Sequence, residues 1–195
     1  MIKIIAIDLG GVYFEWSYER YFNEISKISG VDKKTVINIL NKRIRGLHVK
    51  RISEKDYWDY FCKNTENKID HKIFKKITLS QYKPNKPVIN LMKKLRKKYK
   101  IALLANQTPI LDEINRKYKI YKNFDFILSS HIVRMQKPYR NIYRLLIKKA
   151  KCKPREIVFI DDRKKNLKPA KELGINTILF KNAMQLKKDL AKFLF

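Results

Sequence analysis

Five short apolar runs, separated by stretches of helical periodicity, set the architecture of this chain. The first covers Ile2–Asp8 and is apolar almost without interruption; the others are Lys100–Ala105, Phe124–Leu128, Ile157–Ile160 and Thr177–Phe180. Continuous rather than alternating apolar character marks strands covered on both faces, as in a parallel sheet. Amphipathic segments lie between them at Pro87–Tyr99, Leu111–Tyr118, Asn141–Ala150 and Leu167–Leu173, the last stopping at Gly174, a residue suited to a helix terminus. Strand–helix alternation of this kind predicts an α/β fold with a five-stranded parallel sheet and right-handed crossovers.

One connection breaks the rhythm. Residues 15–83 separate the first strand from the helix that leads into the second, far more than an unstructured loop in a compact domain. They read as an all-helical insertion. Apolar residues recur at helical spacing over Tyr18–Ile28, and Asp32 reads as the N-cap of a helix through Val36, Ile37 and Leu40. Ser53 opens Ser-Glu-Lys-Asp, a capping-box-like start to a helix carrying Tyr57, Trp58 and Phe61, and a fourth helix follows over Lys72–Leu79. The organisation expected is a core of residues 1–14 and 84–195 and a small helical domain of residues 15–83.

No apolar run approaches the roughly 20 residues of a membrane-spanning helix, and the apolar start is too short for a secretory signal. Cys62 and Cys152 have no C-x-x-C spacing and are too few for a disulfide framework; the expectation is a reduced, cytoplasmic protein. Lys and Arg total 46 against 18 acids, a net charge of +28. Codon bias explains part of that excess, and attraction to a polyanion such as nucleic acid, or to phosphorylated substrates, is the alternative.

In open parallel sheets, ligands bind beyond the carboxyl ends of the strands. The first run ends in Asp8-Leu9-Gly10-Gly11-Val12, the second in Ala105-Asn106-Gln107-Thr108; after the third comes Gln136-Lys137-Pro138, and the fourth ends in Asp161-Asp162-Arg163-Lys164-Lys165-Asn166. Carboxylates converging on one sheet edge repel one another unless a cation shares the site, and Mg2+ is the natural hard ion for oxygen ligands. Asp8, Asp162 and the Gly10 carbonyl would supply those oxygens, and Lys137 would balance charge near the transferring group. Glycines 10 and 11 let the backbone turn sharply and approach a phosphate. Taken singly, Asp8 and the Asp161-Asp162 pair also read as helix N-caps and Lys137 as a solvated lysine. His48, His71 and His131 show no ligand spacing, and neither cysteine has a base nearby in sequence.

Taken in order, the four elements resemble the haloacid dehalogenase-like hydrolase superfamily. Ile5-Ala6-Ile7-Asp8-Leu9-Gly10-Gly11-Val12 matches its first motif, Lys137-Pro138 its third, and Asp161-Asp162 with Asn166 its fourth. Leu167-Lys168-Pro169-Ala170 through Leu173-Gly174 is similar to the helix after that motif in sugar-phosphate phosphatases and in the phosphatase domain of soluble epoxide hydrolase. The resemblance implies an α/β, Rossmann-like parallel five-stranded sheet with a small inserted all-helical cap. It implies Asp8 as the nucleophile of a Mg2+-dependent phosphomonoester hydrolase, forming an aspartyl-phosphate on a small phosphorylated metabolite, with Lys137 as its second catalytic residue. Gly11, Ala105, Asn106 and Lys137 would meet the phosphate; Asp8, Gly10 and Asp162 would hold the metal; Asp161 and Asn166 would stand behind them, Asp161 through a bound water.

Two positions depart from the pattern. Gly10 stands where such phosphatases usually carry an Asp acid/base, whose loss costs about 10²–10⁴ in rate. Ala105 replaces a Ser or Thr hydroxyl, a loss of about 1.5–3 kcal/mol. The expectation is a slow phosphatase, one favouring good leaving groups, or a protein that binds phosphate without turning it over; the alternative is a catalytically impaired relative binding nucleic acid or a protein through its basic surface. The adjacent Asp161 and Asp162 argue against dehalogenation. Tyr13, Trp16 and Arg43 are the first candidates to face the substrate from the insertion side.

Overall fold

The computed structural model describes residues 1–194. Its sheet has the strand order β5-β4-β1-β6-β7, every neighbouring pair parallel. The strands are β1 (Ile4–Ile7), β4 (Lys100–Ala105), β5 (Phe126–Ser129), β6 (Ile157–Asp161) and β7 (Asn176–Leu179), numbered in chain order with a short ribbon formed by β2 (Phe14–Glu15) and β3 (Lys83–Pro84). The apolar runs make this sheet because successive residues alternate faces and both faces are covered. Ile5, Ile7, Ile101, Leu103, Val158 and Ile160 pack one face; Ile4, Ala6, Ala102, Leu104, Ile157 and Phe159 pack the other. The first face is closed by α5 (Lys86–Leu95), α6 (Ile110–Tyr118) and α10 (Ala183–Leu194), and the second by α8 (Arg140–Ala150) and α9 (Lys164–Glu172).

The predicted strands lie where expected, with shifted ends. β1 is shorter than the apolar run, yet Lys3 N–H still donates to Glu156 O (2.8 Å) and Asp8 N–H to Ile160 O (3.0 Å), so the ladder frays rather than stops. β5 starts two residues late because the Phe124 N–H closes a 3₁₀ turn over Tyr121–Asn123, and Phe124 itself packs on Tyr13 with ring centroids 5.0 Å apart.

The insertion is four helices: α1 (Tyr18–Ser29), α2 (Lys33–His48), α3 (Glu54–Thr65) and α4 (His71–Gln81). Each start is capped by a side chain, from Ser17, Asp32, Ser53 and Asp70, and Ser53 with Asp56 completes the capping box. These caps satisfy backbone N–H groups that the first turn of a helix leaves without partners. The insertion has its own apolar cluster, including Ile25, Val36, Leu40, Trp58, Phe61 and Phe74, in which Trp58 stacks on Phe74 with ring centroids 4.1 Å apart. The β2–β3 ribbon, Phe14 opposite Pro84 and Glu15 opposite Lys83, ties both ends of the insertion to one spot beside β1. The remaining helix, α7 (Ser130–Val133), follows β5 directly. Among the described residues no helix is long and apolar enough to cross a membrane.

Phe74 is fully buried, so Phe74→Ala is expected to cost about 3–5 kcal/mol. Urea denaturation followed by tryptophan fluorescence measures it, Trp58 reporting directly on the cavity left behind.

Candidate active site

The sheet order reverses at β1: the chain moves to β4 and β5 on one side and then to β6 and β7 on the other. Crevices form at such a reversal, beyond the carboxyl ends of the strands. Asp8 leaves the end of β1, Asn106 the end of β4, and Asp161 and Asp162 the end of β6. Lys137 comes from the loop between α7 and α8.

Lys137 holds the group together. Its Nζ lies 2.9 Å from Asp8 Oδ1 and 2.7 Å from Asp161 Oδ2, with only 2% of the residue exposed. The backbone behind it is clamped reciprocally by Asn106, whose Nδ2 donates to Lys137 O and whose Oδ1 accepts from Lys137 N–H, both at 2.8 Å. Asp161 is saturated: Oδ1 accepts from Arg163 N–H and Asn166 Nδ2, and Oδ2 from Lys137 and Asn166. Asn166 is steadied in turn by Tyr143, whose hydroxyl donates to its carbonyl at 2.6 Å. Asp161, held by Asn166, therefore orients Lys137; Asn166 also lines the cavity, whereas Asp161 does not. None of the three aspartates is a helix N-cap: Arg163 is the N-cap residue of α9, without a side-chain cap, and the element after Asp8 is β2.

Two of the carboxylates, Asp8 and Asp162, keep oxygens without a hydrogen bond among the described residues. Asp8 Oδ1 takes the Leu9 N–H at 2.7 Å as well as Lys137, so its Oδ2 carries no hydrogen bond among the described residues. Asp162 Oδ1 is buried and has no hydrogen-bond partner among the described residues. One oxygen each from Asp8, Asp161 and Asp162 lie within 4.8 Å of one another. At the buried end of the cavity the three carboxylates have one ammonium, Lys137, in ion-pair contact. Burial first, and the neighbouring Asp161 and Asp162 after it, push the Asp8 carboxyl up to about 8 although Lys137 pulls it down. Asp162 is raised by burial and by Asp161. For Lys137, desolvation favours the neutral amine, but the attraction of Asp8 and Asp161 outweighs it and raises the ammonium. An unpartnered buried oxygen beside a second free one, all from hard donors, fits a divalent cation of the Mg2+ type.

The glycines play different parts. Gly11 has φ +86°, and a Cβ there would overlap Asp162 Oδ2 and lie 2.8 Å from its Cγ; its missing side chain makes room for the Asp162 carboxylate. A Cβ on Gly10 would meet nothing nearer than Trp16 Cβ at 3.7 Å, so that position admits a side chain. Among the residues expected at a phosphate, Asn106 and Lys137 line the cavity, whereas Ala105 is fully buried in the core layer.

Between the insertion and this edge lies a cavity of about 580 Å³. Trp16 lines it as expected. Tyr13 does not, being fully buried in the core, and Arg43 is turned onto the Tyr60 ring at 4.2 Å. Local pattern missed Tyr82, whose hydroxyl donates to Gln107 Oε1 at 3.0 Å, and also Gln107, Gln136, Arg45 and His48. His48 is held down to about 4, by burial first and then by Arg163 and Lys137. Only the strand-end position of Gln107 and the helix-end position of Arg45 could have signalled them.

The haloacid dehalogenase-like hydrolase family model matches residues 17–180, a span that begins after Asp8. The chain is similar to bifunctional epoxide hydrolase 2 of Mus musculus, 42% identical over 74 residues, which is 38% of this chain and 13% of that protein; it therefore spans a small part of that relative's length. It is also similar to the D-ribitol-5-phosphate phosphatase of Bacteroides thetaiotaomicron, 24% identical over 206 residues covering 100% of this chain and 99% of the relative. Among solved structures, an enzyme of the same family from Bacteroides thetaiotaomicron, in complex with magnesium and inorganic phosphate, superposes with a TM-score of 0.81 at 26% identity, covering 93% of this chain and 96% of that one.

Asp8 binds its proton more tightly in the folded chain, from an ordinary value of 3.8 to about 8. Its contribution to stability is therefore present at low pH and lost as pH rises through 8. In EDTA, Asp8→Asn is expected to melt higher than the wild type at pH 8, with the gap closing toward pH 4; thermal denaturation across that range checks it.

Proposed function

The chain belongs to the haloacid dehalogenase-like hydrolases, and on that footing we propose that it is a Mg2+-dependent phosphomonoester hydrolase that works through an aspartyl-phosphate at Asp8. The observation that carries the reading is the division of labour on one carboxylate: Oδ1 is occupied by Leu9 N–H and Lys137, while Oδ2 is left free at the cavity. Asp8, Asp162 and the Gly10 carbonyl would hold Mg2+. The ion supplies positive charge that keeps Asp8 ionised and offsets charge on the phosphoryl oxygens.

The steps belong to the chain's own residues. The Asp8 carboxylate attacks phosphorus in line with the leaving oxygen; the new bond from a carboxylate oxygen to phosphorus forms as the P–O bond to the leaving group breaks. Lys137 and the backbone of Asn106 meet the phosphoryl oxygens, and Lys137 keeps Asp8 in its attacking orientation through Oδ1. Water then cleaves the aspartyl-phosphate, returning the Asp8 carboxylate and releasing inorganic phosphate. No carboxyl stands at Gly10 to protonate the leaving oxygen, which favours leaving groups that depart as stable anions. Residues 15–83 act as the cap and residues 1–14 and 84–195 as the core, the β2–β3 ribbon serving as the hinge between them. Closing the cap shields the site from bulk water and selects compact substrates.

The relatives point to a small phosphorylated substrate; neither they nor the geometry support nucleic-acid binding. Cys62 and Cys152 are free thiols, which suits the reducing interior proposed for the protein.

4-Nitrophenyl phosphate should be hydrolysed with Mg2+, and both EDTA and Asp8→Asn should abolish the reaction. Gly10→Asp, which the surrounding space admits, is expected to raise kcat on alkyl phosphates by up to about 10² and to do much less for 4-nitrophenyl phosphate. Steady-state kinetics on the two substrate types provide the measurement.

A further inference from the structure

Five cationic side chains line the cavity: Arg45, Lys75, Lys137, Arg163 and Lys165. Two are neutralised by carboxylates, Lys137 by Asp8 and Asp161, and Lys75 by Glu113 at 2.6 Å. Arg45, Arg163 and Lys165 have no carboxylate partner among the described residues. In a chain of net charge +28, exposed unpaired lysines and arginines are common, and exposure alone would leave these three as solvated side chains.

Two of them are held instead. Arg45 Cζ lies 4.4 Å from the centroid of the Tyr139 ring. Arg163 Cζ lies 5.5 Å from the centroid of the Tyr18 ring, and its Nη1 donates to the Tyr18 hydroxyl oxygen at 3.3 Å. Each pair crosses the same gap, because Arg45 and Tyr18 belong to the insertion and Tyr139 and Arg163 to the core. A guanidinium resting on a ring keeps N–H donors in its own plane for a carboxylate or phosphate, and part of its side-chain freedom is already lost before any ligand arrives. The exposed Tyr18 and Tyr139, 51% and 43% accessible, are thereby explained as platforms for the two arginines.

The reacting phosphate occupies a different level of the cavity. Its expected contacts, Asp8 and Lys137, are 8% and 2% exposed, whereas Arg45, Arg163 and Lys165 are exposed at the mouth. The total volume of about 580 Å³ falls within the range of sites that enclose whole small molecules, roughly 300–1,000 Å³.

We infer that Arg45, Arg163 and Lys165 form a second anion subsite at the cavity mouth, and that the substrate is a phosphomonoester bearing another carboxylate or phosphate at its far end. A phosphorylated acid or a bisphosphate fits this better than a neutral sugar monophosphate. An anion shared by Arg45 and Arg163 also draws the insertion onto the core as the substrate binds. The inference rests on the phosphatase reading of Asp8, since that residue sets which end of the substrate lies deep.

Matched pairs test it. 3-Phosphoglycerate and glycerol 3-phosphate differ by a carboxylate in place of a hydroxymethyl group; fructose 1,6-bisphosphate and fructose 6-phosphate differ by a second phosphate. With Mg2+, kcat/KM should favour the more charged member of at least one pair by about tenfold or more, and the pair that responds identifies carboxylate or phosphate as the anion. Arg45→Gln and Arg163→Gln should each reduce that preference by about tenfold, the scale of one hydrogen bond to a charged group; both are exposed positions whose replacement leaves the cores untouched. Equal kcat/KM within both pairs, or a preference that survives the double variant, overturns the subsite. If no phosphomonoester is turned over, the phosphatase reading fails. Titration calorimetry of the same four compounds into Mg2+-loaded protein then decides the subsite: a preference for the more charged member that weakens with salt supports it, and equal affinities overturn it.

Discussion

One ammonium group, Lys137 Nζ, lies between two buried carboxylates, and the arrangement of the sheet edge follows from what it can and cannot neutralise. It stands 2.9 Å from Asp8 and 2.7 Å from Asp161. A buried charge is tolerable only when paired and hydrogen-bonded, which accounts for the supporting shell: Asn106 clamping the Lys137 backbone, Asn166 and the Arg163 N–H filling Asp161, and Tyr143 fixing Asn166. The same lysine makes no ion pair with Asp162, whose Oδ1 is buried and without a hydrogen-bond partner among the described residues. The site is one cation short by construction, and that shortage is what a divalent ion would remove.

The insertion gives this edge an enclosed space above it. Its four helices carry an apolar cluster of their own, so they form a body rather than a long loop, and the β2–β3 ribbon returns both of its ends to the neighbourhood of Asp8. The consequence is a cavity with an acidic, buried floor and a basic, aromatic rim. Trp16, Tyr18 and Tyr82 come from the insertion and its two junctions, Gln107 and Gln136 from the core, and none would reach the others without the ribbon.

Much of this was readable residue by residue. The apolar runs, the helical spacing of apolar residues and the caps at Asp32 and Ser53 led to the observed sheet and helices because each is a local property of a few neighbouring residues. Asp8, Lys137 and the Asp161-Asp162 pair stood out because they follow strand ends. The expectation for Tyr13 failed because a tyrosine beside the glycine turn reads the same whether it faces a cavity or the core; here Phe124 arrives from a distant turn and buries it. Ala105, expected near a phosphate, has its methyl group in the core layer. Gly11 was expected to let the backbone turn and approach a phosphate; the structure adds that its missing Cβ leaves room for the Asp162 carboxylate, a neighbour the local sequence does not reveal.

The amino-acid sequence by itself determined which segments become strands and helices, and hence that three carboxylates and a lysine collect at one sheet edge, since periodicity and capping act over a few residues. Only the tertiary structure decided which oxygen of Asp8 stays free, that Asp161 serves Lys137 while Asp162 does not, and that Arg45 and Arg163 rest on rings across the cavity mouth. Those outcomes depend on distances of a few ångströms between groups remote in the chain, and hydrogen bonding and Coulomb attraction respond to that spacing alone.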